Sequence, residues 1–190
     1  IYNLLNAVMR KHNIADGAIN LISSKDREAV DVLLKLNKYI DLVIPRGGEE
    51  LINKVTRFSR IPVIKHYKGI CHVYVDEWAD LNMAEKICLN AKCQRPGVCN
   101  AMESMLVHRD VAARFLPGML RKFKHAQVQI RGCAMTQRIA KWVRRASEKD
   151  YRTEYLELIL SVKVVDDLDA AIAHINDYGS HHSDSIVTDN

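Results

Sequence analysis

The sequence predicts an α/β fold of parallel βαβ units. Three observations support this: short runs of β-branched and apolar residues recur along the chain, helical patterns of about ten residues separate them, and 48% of the 190 residues are hydrophobic, enough for a sizeable core.

Leu4, Leu5, Val8 and Met9 form one apolar face at helical spacing, the chain breaks at Asp16-Gly17, and Ala18 to Ile22 is a short predicted strand. Ser23 and Ser24 are suited to cap a second helix reaching about Leu36. Asp41 to Ile44 has the pattern of a buried strand and Pro45-Arg46-Gly47-Gly48 that of a turn. Glu49 to Phe58 follows as a helix, with two acids in its first turn that favour its dipole. Ile61 to Ile64 and Cys71 to Val75 are two further strands. Asp80 caps a helix running to about Lys92, Glu103 to Val107 is a strand, and a helix from about Val111 to Lys124 leads to a strand near Val128. The interval 132–150 has no decided pattern. Ser161 to Val165 (strand), Leu168 to Asn176 (helix) and Ser185 to Thr188 (strand) close the chain.

Composition narrows the function classes. No apolar run approaches the roughly 18 residues of a membrane span, and Ile1-Tyr2-Asn3 shows neither an initiator Met nor a signal-peptide pattern. A cytoplasmic protein, or a piece of one, is the expectation, with no membrane partner. The five cysteines (Cys71, Cys88, Cys93, Cys99 and Cys133) are an odd number without CxxC spacing, so free thiols in a reducing compartment are expected. The net charge of +5 is uneven: nine of the 28 basic residues lie between Asp110 and Glu148, where there is no acid. Few aromatics accompany them and no nucleic-acid motif does, so this stretch is taken as a solvated helix and loop, and no nucleic-acid partner is expected.

The stretch QRPGVCN, Gln94 to Asn100, carries the most chemistry. Cys99 follows a helix and a Pro-Gly turn, a position that can turn its sulfur and backbone N–H toward a cleft as a nucleophile; spacing alone fits a small buried hydrophobe equally. Arg46-Gly47-Gly48 before a helix suits an anion, or a plain connecting turn. His181-His182 point in different directions and have no third ligand at matching spacing, so no metal site is predicted.

YIDLVIPRGG (Tyr39 to Gly48), RIPVIKHYKGICHVYVD (Arg60 to Asp76), NAKCQRPGVCNAMESMLVHRD (Asn90 to Asp110), TEYLELILSVKVVDDLDAAIAHINDYGS (Thr153 to Ser180) and SDSIVTD (Ser183 to Asp189) resemble the γ-glutamyl phosphate reductases. These glutamate-5-semialdehyde dehydrogenases fall within the aldehyde dehydrogenase superfamily, and the same blocks occur in the reductase half of Δ1-pyrroline-5-carboxylate synthase. The resemblance spans the chain apart from about 121 to 150. It implies an aldehyde-dehydrogenase-like fold with residues 1–68 as the second half of a Rossmann-like cofactor domain and 69–190 as most of a catalytic domain. It implies NADPH-dependent reduction of γ-glutamyl phosphate to glutamate 5-semialdehyde and phosphate, in proline biosynthesis. Cys99 then corresponds to the nucleophile, Arg95 and Asn100 to substrate contacts, and Pro45, Arg46, Gly47 and Gly48 to the turn near the NADP cofactor. Homo-oligomerisation of the full-length enzyme and functional coupling to glutamate 5-kinase are implied as well, with a mitochondrial location if the chain belongs to the bifunctional synthase.

One departure bears on the reaction. Ordinary aldehyde dehydrogenases carry LELGG, whose glutamate activates water; the corresponding stretch here is Pro62-Val63-Ile64-Lys65-His66, with no carboxylate. An acyl-phosphate reductase needs no such base, which would waste its intermediate. The chain also begins inside a helix of the cofactor domain and stops where the family continues, so a fragment of a longer chain, with little activity by itself, is expected. The competing expectation is a non-catalytic interaction or regulatory fragment that keeps only the fold.

Overall fold

Residues 1–65 and 68–190 are described by the computed structural model, so His66, the last residue of the stretch beginning at Pro62, lies outside the described residues. The chain divides into two units, Ile1–Lys65 and His66–Asn190.

The first unit contains three helices: α1 (Tyr2–Lys11), α2 (Glu28–Leu33) and α3 (Glu49–Phe58). Leu34, Ile52, Val55 and Ile61 form its buried apolar centre, and Lys54 ties α3 to Asp31 of α2 at 2.8 Å. Val43 and Val63 meet in a parallel bridge, Val43 N–H donating to Pro62 and Ile64 N–H to Val43. The strands expected at Asp41 to Ile44 and Ile61 to Ile64 are reduced to that bridge. The strand expected at Ala18 to Ile22 is not formed: the segment has no ladder partner among the described residues, and Leu21 and Ile22 are half exposed or more. Extended backbone needs a neighbouring strand for its hydrogen bonds, and apolar alternation does not supply one. The second helix starts later than Ser23 and Ser24 suggest, because Ser24 Oγ accepts from Asp26 N–H and Asp26 in turn accepts from Glu28 N–H, a two-step turn ahead of α2.

The second unit is a six-stranded sheet with every pair parallel, in the order β4-β3-β5-β2-β1-β6. Its strands are β1 (Cys71–Val75), β2 (Met102–His108), β3 (Gln129–Gly132), β4 (Arg144–Arg145), β5 (Ile159–Val165) and β6 (Asp184–Val187). Its helices are α4 (Leu81–Cys93), α5 (Arg109–His125), α6 (Ala134–Ile139), α7 (Glu148–Tyr151) and α8 (Leu168–Tyr178). The undecided interval thus resolves into two short helices and a two-residue edge strand. Asp80 caps α4 as expected, accepting from Asn82 and Met83 N–H.

Alternation along the strands builds two layers. Val73, Val75, Met105, Val107, Leu160 and Val162 face the apolar stripes of α4 and α5, whereas Tyr74, Leu106 and Val165 pack against Ala171 of α8. Burial on both faces is what a parallel sheet requires, and it fixes the start of β2, which follows the loop containing Cys99.

Candidate functional site

Two consecutive turns carry the thiol. Gln94 N–H still reaches Asn90 at the end of α4; then Val98 N–H donates to Arg95 C=O at 3.4 Å and Ala101 N–H to Val98 C=O at 3.0 Å. Pro96 holds the second position of the first turn, where its fixed φ suits the geometry. Cys99 and Asn100 hold the middle of the second turn and both side chains are exposed. Cys99 N–H has no acceptor among the described residues.

The loop rests on two backbones. Gly69 lies so close under Cys99 that a Cβ there would fall 1.8 Å from the Cys99 oxygen, and Gly69 N–H donates to Glu154 Oε1 at 2.9 Å. On the other side Leu156 C=O approaches the position a Cβ on Gly97 would take, at 3.6 Å. Leu156, left-handed at φ 56°, gives its N–H to Glu103 Oε1 at 2.9 Å. The other oxygen of Glu103 accepts from Lys92 Nζ at 2.8 Å, both side chains being wholly buried. Burial pushes Lys92 downward and Glu103 upward from their ordinary values, and each opposes the shift of the other.

Cys71, at the start of β1, donates its S–H to the Cys99 carbonyl at 3.2 Å and lies 3.8 Å from His182 Nδ1. Burial, reinforced by Asp184, pushes its thiol up to about 11; burial alone raises Cys88 to about 12. Both are protonated at neutral pH. Cys133 differs. Burial raises it, but hydrogen bonds from Thr136 and from Val164 N–H outweigh that and bring it below the usual thiol value. Cys133 is nevertheless half-buried with its sulfur already engaged, whereas Cys99 is exposed.

Of the residues singled out from sequence, Cys99 and Asn100 stand side by side. Asn100 also lines a cavity of about 130 Å³ with Cys71, Met102, Ser183 and Asp184. Arg95 is exposed at the opening of the first turn. Pro45 to Gly48 lead into α3 in the first unit, with Gly48 at the N-cap. Beside Gly48 is a cleft of about 520 Å³, lined by Arg27, Val30, Glu50, Leu51 and Lys54. Gly48 offers no capping side chain, so the first-turn N–H groups of α3 are suited to an outside acceptor. Sequence reasoning missed Gly69, Lys92, Glu103 and Glu154. A signal for two of them was present: Lys92 continues the buried stripe Ala84, Cys88 at four-residue spacing, and Glu103 is a charge in a buried, mainly apolar strand.

An all-parallel sheet with an exposed thiol on the turn entering a central strand defines the class of thiol-bearing α/β proteins. Residues 2–141 match the sequence model of the aldehyde dehydrogenase family. The chain belongs to the aldehyde dehydrogenase family. It is 53% identical over 188 residues to a γ-glutamyl phosphate reductase of Thermodesulfovibrio yellowstonii, covering 99% of this chain and 45% of that one. The crystal structure of a γ-glutamyl phosphate reductase from Thermotoga maritima superposes with TM-score 0.92 at 41% identity, over 99% of this chain and 45% of that one. The chain therefore spans less than half the length of these relatives. An NADP-dependent glyceraldehyde-3-phosphate dehydrogenase from Bacillus halodurans, complexed with NADP, shares the fold at TM-score 0.76 and 15% identity, over 98% and 48% of the two chains.

Proposed function

We propose that this chain is the thiol-bearing portion of a γ-glutamyl phosphate reductase, which reduces γ-glutamyl phosphate to glutamate 5-semialdehyde and phosphate in proline biosynthesis. The observation that carries the reading is the exposure of Cys99 in QRPGVCN, on a turn backed by two fixed backbones, in a chain 53% identical to a reductase of that name. Residues 69–190 serve as most of the catalytic domain and residues 1–68 as the second half of the cofactor domain, close to the division of the chain into two units after Lys65.

In this reading the Cys99 thiolate adds to the acyl carbon. A C–S bond forms, the bond from the acyl carbon to the bridging oxygen breaks, phosphate leaves with that electron pair, and a thioester remains on Cys99. The Cys99 N–H, which has no acceptor among the described residues, donates to the oxygen as it gains charge. Arg95 and Asn100 contact the substrate. The first-turn N–H groups of α3, with Gly48 at the N-cap and Arg27 in the adjoining cleft, support binding of a phosphate of NADPH by the turn Pro45, Arg46, Gly47 and Gly48. When bound, that dinucleotide supplies the hydride that takes the acyl group to the aldehyde. Pro62 to Lys65 present no carboxylate to activate water against the thioester.

The test is phosphate-dependent oxidation of glutamate 5-semialdehyde by the full-length protein, the reverse reaction, because the acyl phosphate itself is unstable. Reduction of NADP that requires both semialdehyde and phosphate supports the reading; oxidation that proceeds unchanged without phosphate contradicts it.

A further inference from the structure

We infer that the buried ion pair of Lys92 and Glu103 is the positioning device of the nucleophile loop, holding both ends of Gln94 to Ala101 at the spacing that presents Cys99; this rests on the reading of Cys99 as nucleophile. Lys92 lies in the last turn of α4, two residues before the loop, and Glu103 at the start of β2, two residues after it. Their 2.8 Å contact closes the loop at its base. The same carboxylate fixes Leu156 through its N–H, and Leu156 C=O lies beside the loop, 3.6 Å from where a Cβ on Gly97 would stand. One side chain therefore joins the helix before the loop, the strand after it and the Leu156 segment that runs beside it.

Stability alone does not account for such a pair. Two charges taken wholly out of water recover little net energy from each other, and an apolar pair of similar volume often serves the fold as well or better. What an apolar pair lacks is direction, because packed methylenes slide where an N–H···O contact sets a length and an angle. The Cys99 loop needs that register, since a displacement of about 1 Å at a reacting atom costs on the order of 100-fold in rate.

The experiment uses the full-length reductase and two variants, Glu103→Gln and the double substitution Lys92→Met with Glu103→Leu. Hydrogen exchange at the Val98 and Ala101 amides reports the loop; melting temperature, NADPH affinity and the kcat and KM of phosphate-dependent semialdehyde oxidation complete the set. Expected are loop exchange about 10-fold faster with β2 and β5 still protected, NADPH affinity unchanged, and kcat lower by about 100-fold with KM within a few-fold. In the double variant the melting temperature recovers and kcat does not. If that variant fails to fold, Glu103→Gln decides, since Gln keeps an acceptor for Leu156 N–H. Loop amides exchanging at the parental rate, or kcat recovering together with the melting temperature, overturn the inference. Parental turnover by Cys99→Ser would instead remove the functional reading on which it rests.

Discussion

Gly69 and the carbonyl of Cys99 occupy adjoining space with no room for a methyl group: a Cβ on Gly69 would lie 1.8 Å from the Cys99 oxygen and 2.8 Å from its carbon. The neighbour is backbone, not the end of a flexible side chain, and Gly69 is itself held by its N–H bond to Glu154. Gly69→Ala must therefore displace the residue proposed to do the chemistry. It should cost about 1–3 kcal/mol of stability and lower kcat by about 100-fold, with NADPH affinity kept. Melting curves and steady-state kinetics on the full-length protein check this. Parental kcat in Gly69→Ala would show that the close approach does not govern Cys99.

A second prediction concerns acid stability. His174 is buried on α8, with Nδ1 accepting from Lys163 Nζ at 3.1 Å and its ring packed among those of His72, Tyr151 and Tyr178. Burial, then the charge of Lys163, pushes it down to about 3, so it is neutral when folded. In the unfolded chain it takes up a proton near 6.5. Its contribution is therefore complete above that value and lost as pH falls from 6.5 toward 3, at about 1.4 kcal/mol per pH unit for one proton. His72 shifts in the same direction through burial, opposed by its 2.8 Å pairing with Asp184. Urea unfolding at pH 7, 6 and 5 should show this loss, and His174→Gln should reduce the slope by about one proton. An unchanged slope in the variant would contradict the assignment.

The thiols should react in a fixed order. Cys99 is exposed, Cys133 is half-buried with its thiolate favoured, and burial keeps Cys71 and Cys88 protonated. Brief iodoacetamide treatment at pH 7.5, followed by peptide mass analysis, should find Cys99 modified first and Cys133 more slowly, with Cys71 and Cys88 protected until the protein unfolds. Labelling of Cys71 or Cys88 ahead of Cys99 would contradict the structure's account of access.

The sequence signals that succeeded were the local ones. Cys71 to Val75 and Glu49 to Phe58 match β1 and α3 to the residue, because β-branched runs and a helical stripe between turn signals are decided within a few residues. Ala18 to Ile22 failed because a strand is completed by its partner, and no pattern within five residues reveals whether one is present. The site divided in the same way. Cys99 stands out from its Pro-Gly neighbourhood, whereas Gly69 and Glu154 are 30 and 55 residues away in sequence and come under the loop only through the order of the strands. Lys92 and Glu103 were visible only as charges in apolar patterns, which marks burial but not the partner.

The most direct measurement is the location of the acyl group. The full-length protein is mixed with glutamate 5-semialdehyde and NADP without phosphate, quenched in acid and analysed by peptide mass spectrometry, alongside turnover of Cys99→Ser. The account predicts a glutamyl adduct on the peptide containing Cys99, no adduct in Cys99→Ser, and turnover of that variant lower by several orders of magnitude, because a serine hydroxyl is almost never ionised near neutral pH. An adduct on Cys133 or Cys71, or parental turnover by Cys99→Ser, would contradict it.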